Sequence, residues 1–142
     1  MKTDKSIKNI CIAAVKRKTI QPFDYTYTKF FDEGYSELVL NVNNLNMGEL
    51  PIAETYIDNT NWSLITTRRI LSNINGEIGE INPNEINSMK WSGFKHSQSK
   101  QTTFGEMKLH DGNIFYVHIE VGRASMIIIS AINTLVGQIK FN

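Results

Sequence analysis

A chain of 142 residues with a hydrophobic fraction of 41% and a net charge of +1 has the size and composition of one globular domain. The near-neutral charge argues against a dedicated nucleic-acid binder, so we expect no nucleic-acid partner. A single cysteine, Cys11, excludes an intramolecular disulfide and a zinc site built on paired cysteines, and it favours a cytoplasmic location. The most apolar run, residues 124–136, is too short for a transmembrane segment.

The first predicted element is a helix from Asp4 to Lys18. Its apolar residues follow helical spacing, at Ile7, Ile10, Cys11, Ala14 and Val15. Asp4 near its start and three basic residues at its end suit the helix dipole. Cys11 lies within the apolar stripe, so we interpret it as a core residue and not as a nucleophile.

An aromatic segment follows the helix and ends at Gly34. The alternation in SELVLNVNN, residues 36–44, predicts a strand with Leu38, Leu40 and Val42 on one side. A second strand is predicted around residues 52–57, after a turn at Gly48 and Pro51.

A long extended stretch from Trp62 to Ile74 is predicted next, followed by an Asn75-Gly76 hairpin turn and a return strand at residues 77–81. Arg68 and Arg69 would then lie in the middle of a strand and face opposite sides. We favour a structural role, in which one guanidinium covers apolar surface and the other meets solvent or an acidic neighbour such as Glu80. An anion site is the alternative.

Residues 85–95 predict another strand, and the polar run 95–103 predicts a loop. Trp91, Phe94, Lys95 and His96 lie next to that loop. They could form an aromatic recognition edge, although a core tryptophan packed beneath the loop is the preferred interpretation.

Residues 104–121 predict a hairpin whose register follows from its apolar pattern. A three-residue loop, residues 110–112 with Gly112 in the left-handed conformation, opposes Met107 to Phe115 and Gly105 to Val117. His118 and Glu120 then point outward, and we interpret the histidines as solvent-facing and not as metal ligands. No metal and no cofactor are expected.

The last predicted element is a helix over residues 125–139 with a broad apolar surface. Its polar residues form one stripe, made of Ser130, Asn133, Thr134 and Gln138. A helix with so much apolar surface is expected to close the open end of a bent sheet.

The phrase WSLITTRRILS, the NG turn, the strand pair GEMKLHDGNIFYVHIEV and the apolar last helix together resemble the bacterial pleckstrin-homology-like domains, over residues 35–140. The predicted fold is therefore α+β and mainly β: an antiparallel bent sheet or small barrel, capped by a C-terminal helix and preceded by an extra helix. Residues 1–34 would hold the extra helix and the aromatic connection, and residues 35–142 the β domain, as one structural unit.

The resemblance implies a binding scaffold whose relatives take phosphoinositides, peptides or partner domains. No catalytic motif is present, so we expect a non-catalytic module for protein or peptide recognition, for which an exposed sheet edge is one possible site. An anionic lipid or phosphoinositide binder is one alternative, although residues 43–61 hold no Lys or Arg. A small bacterial immunity or accessory protein is another, and self-association is compatible with the pattern. The candidate ligand or partner contacts are Arg68, Arg69, Trp91, Phe94, Lys95, His96 and Lys108.

Overall fold

A computed structural model describes residues 2–19, 25–32, 38–39, 45–91 and 101–140. The described helices are α1 (Asp4–Lys18) and α2 (Ser125–Lys140), with short 3₁₀ turns at Pro83–Glu85 and Gly122–Ala124. The strands are β1 (Thr28–Phe30), β2 (Pro51–Asp58), β3 (Asn61–Thr66), β4 (Ile70–Ile74), β5 (Glu77–Ile81), β6 (Ile86–Trp91), β7 (Thr102–Leu109) and β8 (Ile114–Glu120).

The described strands form two antiparallel sheets, one in the order β1-β2-β3-β4-β5 and one in the order β6-β7-β8. The α+β class and the antiparallel pairing are therefore confirmed. The small barrel is wrong for the described strands, because the two sheets stay separate. Neither described helix is long and apolar enough to cross a membrane.

The predicted long strand over residues 62–74 is also wrong, because it is a hairpin formed by β3 and β4. The tip is Thr67-Arg68, and the hydroxyl of Thr66 accepts the backbone N–H groups of Arg68 and Arg69 at 3.1 and 3.0 Å. The Thr66 side chain thus accepts the hydrogen bonds that hold this turn. The turn contains none of the Gly, Asn or Pro residues that ordinarily indicate a chain reversal in a sequence.

The β7–β8 register is confirmed. Met107 pairs with Phe115, and Gly105 pairs with Val117. Gly112 has φ +92°, which is the left-handed conformation that the three-residue loop requires. The Asn75-Gly76 turn is confirmed in the same way, with φ of 52° and 91°.

Three predicted boundaries differ or fall outside the described residues. Leu38 and Val39 are helical and buried, so the strand predicted over residues 36–44 is wrong there, and its remaining residues lie outside the described ranges. β6 ends at Trp91, and residues 92–95 of the predicted strand are likewise not described. β7 begins at Thr102, so the predicted loop over residues 95–103 ends earlier than expected.

Both helices share one hydrophobic core with the two sheets. The fully buried side chains of α2 include Ile127, Ile128, Ile132 and Leu135. Helix α1 packs against α2 and adds Cys11 and Val15 to the same cluster. The N-terminal helix is thus part of the core and not an appended element.

A row of small residues crosses the core face of the five-stranded sheet. The cross-strand partners in this hydroxyl row are Thr28, Thr55, Ser63 and Ser72, with Gly79 at the β5 end. All four hydroxylated residues are buried, and they bond in pairs, with 3.1 Å between the two threonine hydroxyls and 2.7 Å between the two serine hydroxyls. Each position of the row carries a short side chain or, at Gly79, none.

Strand β8 crosses this hydroxyl row. The backbone N–H of His118 donates to the hydroxyl of Ser63 at 2.8 Å, and a Cβ on Gly79 would meet the Phe115 ring at 3.5 Å. At the other end of β8, the carboxylate of Glu120 accepts the backbone N–H groups of Thr26 and Tyr27 at 3.1 and 2.8 Å. The hydroxyl row therefore provides a hydrogen-bond acceptor for the outer edge of β8.

We predict that Ser63→Ala lowers the free energy of unfolding by about 1–3 kcal/mol, because the buried N–H of His118 loses its acceptor. Urea unfolding of the full chain measures the change. Ser88→Ala, at an exposed position on β6, is the control and should stay within about 0.5 kcal/mol of wild type. Equal stability of the Ser63 and Ser88 variants would show that this bond does not hold β8.

Candidate functional site

The face of the three-stranded sheet that points away from the core carries an unusual set of side chains. Cross-strand pairing places Lys90 beside Glu106, Glu106 beside Tyr116, and Lys108 beside Ile114. Phe104 and Tyr116 meet edge to face, with ring centroids 5.9 Å apart. We call this surface the outer face: Lys90, Phe104, Glu106, Lys108, Ile114 and Tyr116.

Three of these side chains are large, apolar and exposed. The exposed fraction is 41% for Phe104, 46% for Ile114 and 40% for Tyr116. The described residues include only two other exposed large hydrophobic side chains, Met47 and Ile78, and both lie on other elements. An antiparallel sheet that covers a core on one side ordinarily turns polar residues to water on the other. The outward positions of β8 break that rule.

Charged side chains border the apolar group. Lys90 and Lys108 are exposed, and Glu106 lies between them on β7. Two lysines against one glutamate leave the outer face with a net positive charge. An aromatic and apolar centre with a polar rim is the arrangement that protein interfaces favour.

His118 and Glu120 follow on the same strand but are buried, with exposed fractions of 3% and 9%. The prediction that they face solvent is wrong, because the outward side of β8 is covered there by the first sheet. The Nε2 atom of His118 lies 2.9 Å from the carbonyl oxygen of Asn73, which can only accept, so Nε2 carries the hydrogen. The Phe104 ring covers the imidazole, with centroids 4.9 Å apart. Burial lowers the pKa of His118, and the bond to Asn73 opposes that shift only in part.

Arg69 lies in a buried ion pair and not on a binding surface. Its guanidinium donates to Glu49 through Nε at 2.9 Å and through Nη2 at 3.1 Å. Nη1 contacts Glu80 at 3.1 Å, in agreement with the expectation that Glu80 is its acidic neighbour. Burial opposes ionisation of Glu49, but the hydrogen bonds from Arg69 and Thr66 outweigh it, so the pKa of Glu49 lies below its ordinary value.

Arg68 contacts the start of α1. Its Nε and Nη2 atoms donate to the two carboxylate oxygens of Asp4 at 3.0 and 2.8 Å, and this bidentate pair lowers the pKa of Asp4. The hydroxyl of Thr67 donates to the same carboxylate at 2.6 Å. Both arginines therefore stabilise the connection between β3 and β4, and they bind different carboxylates, Asp4 and Glu49.

The remaining predicted contacts do not come together at one site. Trp91 is half-buried on the opposite side of the sheet, over Gly105, where an added Cβ would be 2.4 Å from the indole ring. Phe94, Lys95 and His96 lie outside the described residues. Of the predicted contacts that fall within the described ranges, Lys108 alone lies on the outer face. Phe104, Ile114 and Tyr116 were not among the predicted contacts, although the predicted register of β7 and β8 already turned them outward.

A metal centre or a reactive thiol would be a further kind of site among the described residues. No group of three His, Cys, Asp or Glu side chains among them is placed to hold a metal ion. Cys11 is fully buried, and burial raises the pKa of its thiol to about 12, so no reactive thiolate forms at neutral pH.

Comparisons with known sequence families, with curated proteins and with solved structures found no match to this chain.

We predict that Arg69→Gln lowers the free energy of unfolding by about 3–5 kcal/mol, because it leaves the buried carboxylate of Glu49 without its cation. Arg68→Gln should cost clearly less, since its partner lies near the surface. Urea unfolding of both variants at pH 7 compares the two. Equal, small losses would favour a ligand-binding role for Arg69 over the structural one.

We predict that stability falls as the pH drops below about 6.5, the ordinary His value. The folded pKa of His118 is lowered, so the unfolded chain takes up the proton first, and folding loses up to about 1.4 kcal/mol per pH unit from this group. Thermal unfolding from pH 8 to pH 5 should show a shallower decline in His118→Gln than in wild type. His110→Gln, at an exposed turn, is the control and should keep the full decline.

Proposed function

We propose that this chain is a non-catalytic protein-interaction module that binds its partner on the outer face. One observation carries the proposal: three exposed apolar side chains lie together on a sheet face where water would favour polar residues. Two of them, Phe104 and Tyr116, are of the aromatic type that is enriched at the centres of interfaces.

The charges on this face suggest the chemistry of the partner. A segment with aliphatic or aromatic side chains would cover Ile114 and Tyr116. Acidic residues beside them would meet Lys90 and Lys108, whose side chains are exposed. The partner that fits is an apolar protein surface bordered by carboxylates.

Two of the sheet edges, those of β8 and β5, fit recognition less well than the outer face does. The outer edge of β8 is bonded to Ser63 at His118, which removes part of it from pairing. The edge strand β5 carries Glu77 and Glu80, and charges on an edge oppose the addition of another strand. We therefore place recognition on side chains and not on strand addition.

A pleckstrin-homology-like scaffold remains our proposal for the fold family. It is supported by the order of elements, an antiparallel meander in two sheets followed by a helix that packs on the core. Helix α1 would be an addition to such a scaffold. A protein-binding role accords with this proposal, since the superfold serves mainly as a platform for ligands.

An anionic-lipid function receives less support. It relied on Arg68, Arg69, Lys95 and Lys108, but both guanidinium groups are paired with carboxylates inside the protein. A headgroup at the β3–β4 turn would have to displace Asp4 or Glu49. An immunity or accessory role would be one biological setting for a binding face and requires no different chemistry.

We predict that the double variant Ile114→Ser, Tyr116→Ser loses its protein partner while it stays folded, because both side chains are exposed. Affinity capture from the native cell, followed by mass spectrometry, should recover proteins with the wild type that the double variant fails to retain. Ile78→Ser is the matched control: Ile78 is 63% exposed but lies on β5, away from the outer face. Identical capture by the double variant and the wild type would refute the proposal.

A further inference from the structure

A groove runs along the contact between α1 and α2, beside the polar residues Ser130, Asn133 and Thr134 of α2. Its volume is about 230 Å³. Ala14 of α1 and Met126 and Ile129 of α2 provide its apolar lining. Ala14 and Ile129 are almost fully buried, so the floor is formed by the helix contact itself. An apolar floor of this kind suits a hydrocarbon chain.

Three hydrogen-bonding side chains of α2 also line the groove: Ser130, Asn133 and Thr134. Ser130 is buried, with 6% of its surface exposed, and its hydroxyl has no hydrogen-bond partner within the part of the chain that the structure describes. The buried side-chain atoms without a partner in the described ranges are Asn73 Oδ1 and Gln138 Oε1, so the Ser130 oxygen borders the open space of the groove instead. A serine inside a helix can bond the carbonyl four residues earlier, but this one does not. Its free hydroxyl therefore remains available to a ligand in the groove.

Lys18, in the last turn of α1, provides a cation at the rim. Its neighbour Arg17 is also exposed, and basic residues end the helix. Lys16 differs from both, because its ammonium group is paired with Asp32. The polar end of a bound molecule would thus meet positive charge at this side of the groove.

From these three observations we infer that the α1–α2 groove binds a small amphipathic carboxylate. Its hydrocarbon tail lies on Ala14, Met126 and Ile129, its oxygen atoms accept from Ser130, and its negative charge meets Lys18. The volume limits the ligand to a short acyl chain, since it lies below the range of drug-sized sites, about 300–1,000 Å³. This site is separate from the outer face, so a test of octanoate binding does not depend on the proposed protein interaction.

Titration of the full chain with octanoate tests the inference, with calorimetry for the affinity and amide chemical shifts for the location. We expect saturable binding and shifts at Ala14, Ile129 and Ser130. Octyltrimethylammonium, which has the same tail and the opposite charge, should bind at least about tenfold more weakly. Equal binding of both probes, or no saturation, would overturn the assignment.

Variants separate the groove from adventitious binding elsewhere. Ser130→Leu fills the groove and removes its free hydroxyl, so octanoate affinity should fall at least about tenfold. Asn133→Phe blocks the groove from an exposed position and serves if the first variant does not fold. Lys18→Glu should weaken binding about fivefold, whereas Lys5→Glu, on the first turn of α1, should leave it unchanged. Unaltered affinity in Asn133→Phe and Lys18→Glu would place the ligand outside this groove.

Discussion

The arrangement of the two sheets depends on the contact between β8 and the hydroxyl row of the first sheet. A strand edge carries unpaired N–H and C=O groups, and burying it is costly unless they find partners. Ser63 provides such a partner for His118, and its short side chain lets the backbone approach closely. Leucine or isoleucine in that row would hold the strand away and leave the N–H unsatisfied. Small hydroxyl residues thus solve a steric and a polar problem together.

This contact also explains why one strand has two different outward surfaces. The outward side chain of His118 is covered by the first sheet and contacts Asn73. The outward side chain of Glu120 accepts a hydrogen bond from the backbone of Thr26, just before β1. Ile114 and Tyr116 are far more exposed than His118 and Glu120, because no other described element covers that part of the strand to the same extent. The outer face is therefore the uncovered continuation of a surface that is buried elsewhere in the same molecule. The outward residues of β8 are polar where the first sheet covers the strand, at His118 and Glu120, and apolar where the cover ends, at Ile114 and Tyr116.

The sequence determined much of this fold because alternation and turn chemistry are local. The β7–β8 register followed from apolar residues two apart, and both helices followed from spacings of three and four. The β3–β4 turn was hidden, since its support comes from Thr66 and from the distant partners Asp4 and Glu49. The burial of His118 could not be predicted for the same reason. It depends on the contact between the two sheets, and the residues next to His118 in the sequence carry no sign of that contact. Of the outer face, the sequence reasoning identified Lys108 and missed its apolar neighbours.

The polar stripe of α2 was visible in the sequence, but its consequence depends on the opposing helix. Ser130 is buried because α1 lies across it, yet the groove remains open because α1 presents Ala14 where a larger side chain would fill the space. A leucine there would cover the hydroxyl and leave it without water or ligand, at a cost of about 1–3 kcal/mol for an unsatisfied buried polar group. An alanine keeps the hydroxyl accessible and the two helices in contact. The pairing of a small residue on one helix with a free hydroxyl on the other is thus what makes this interface a site as well as a part of the core.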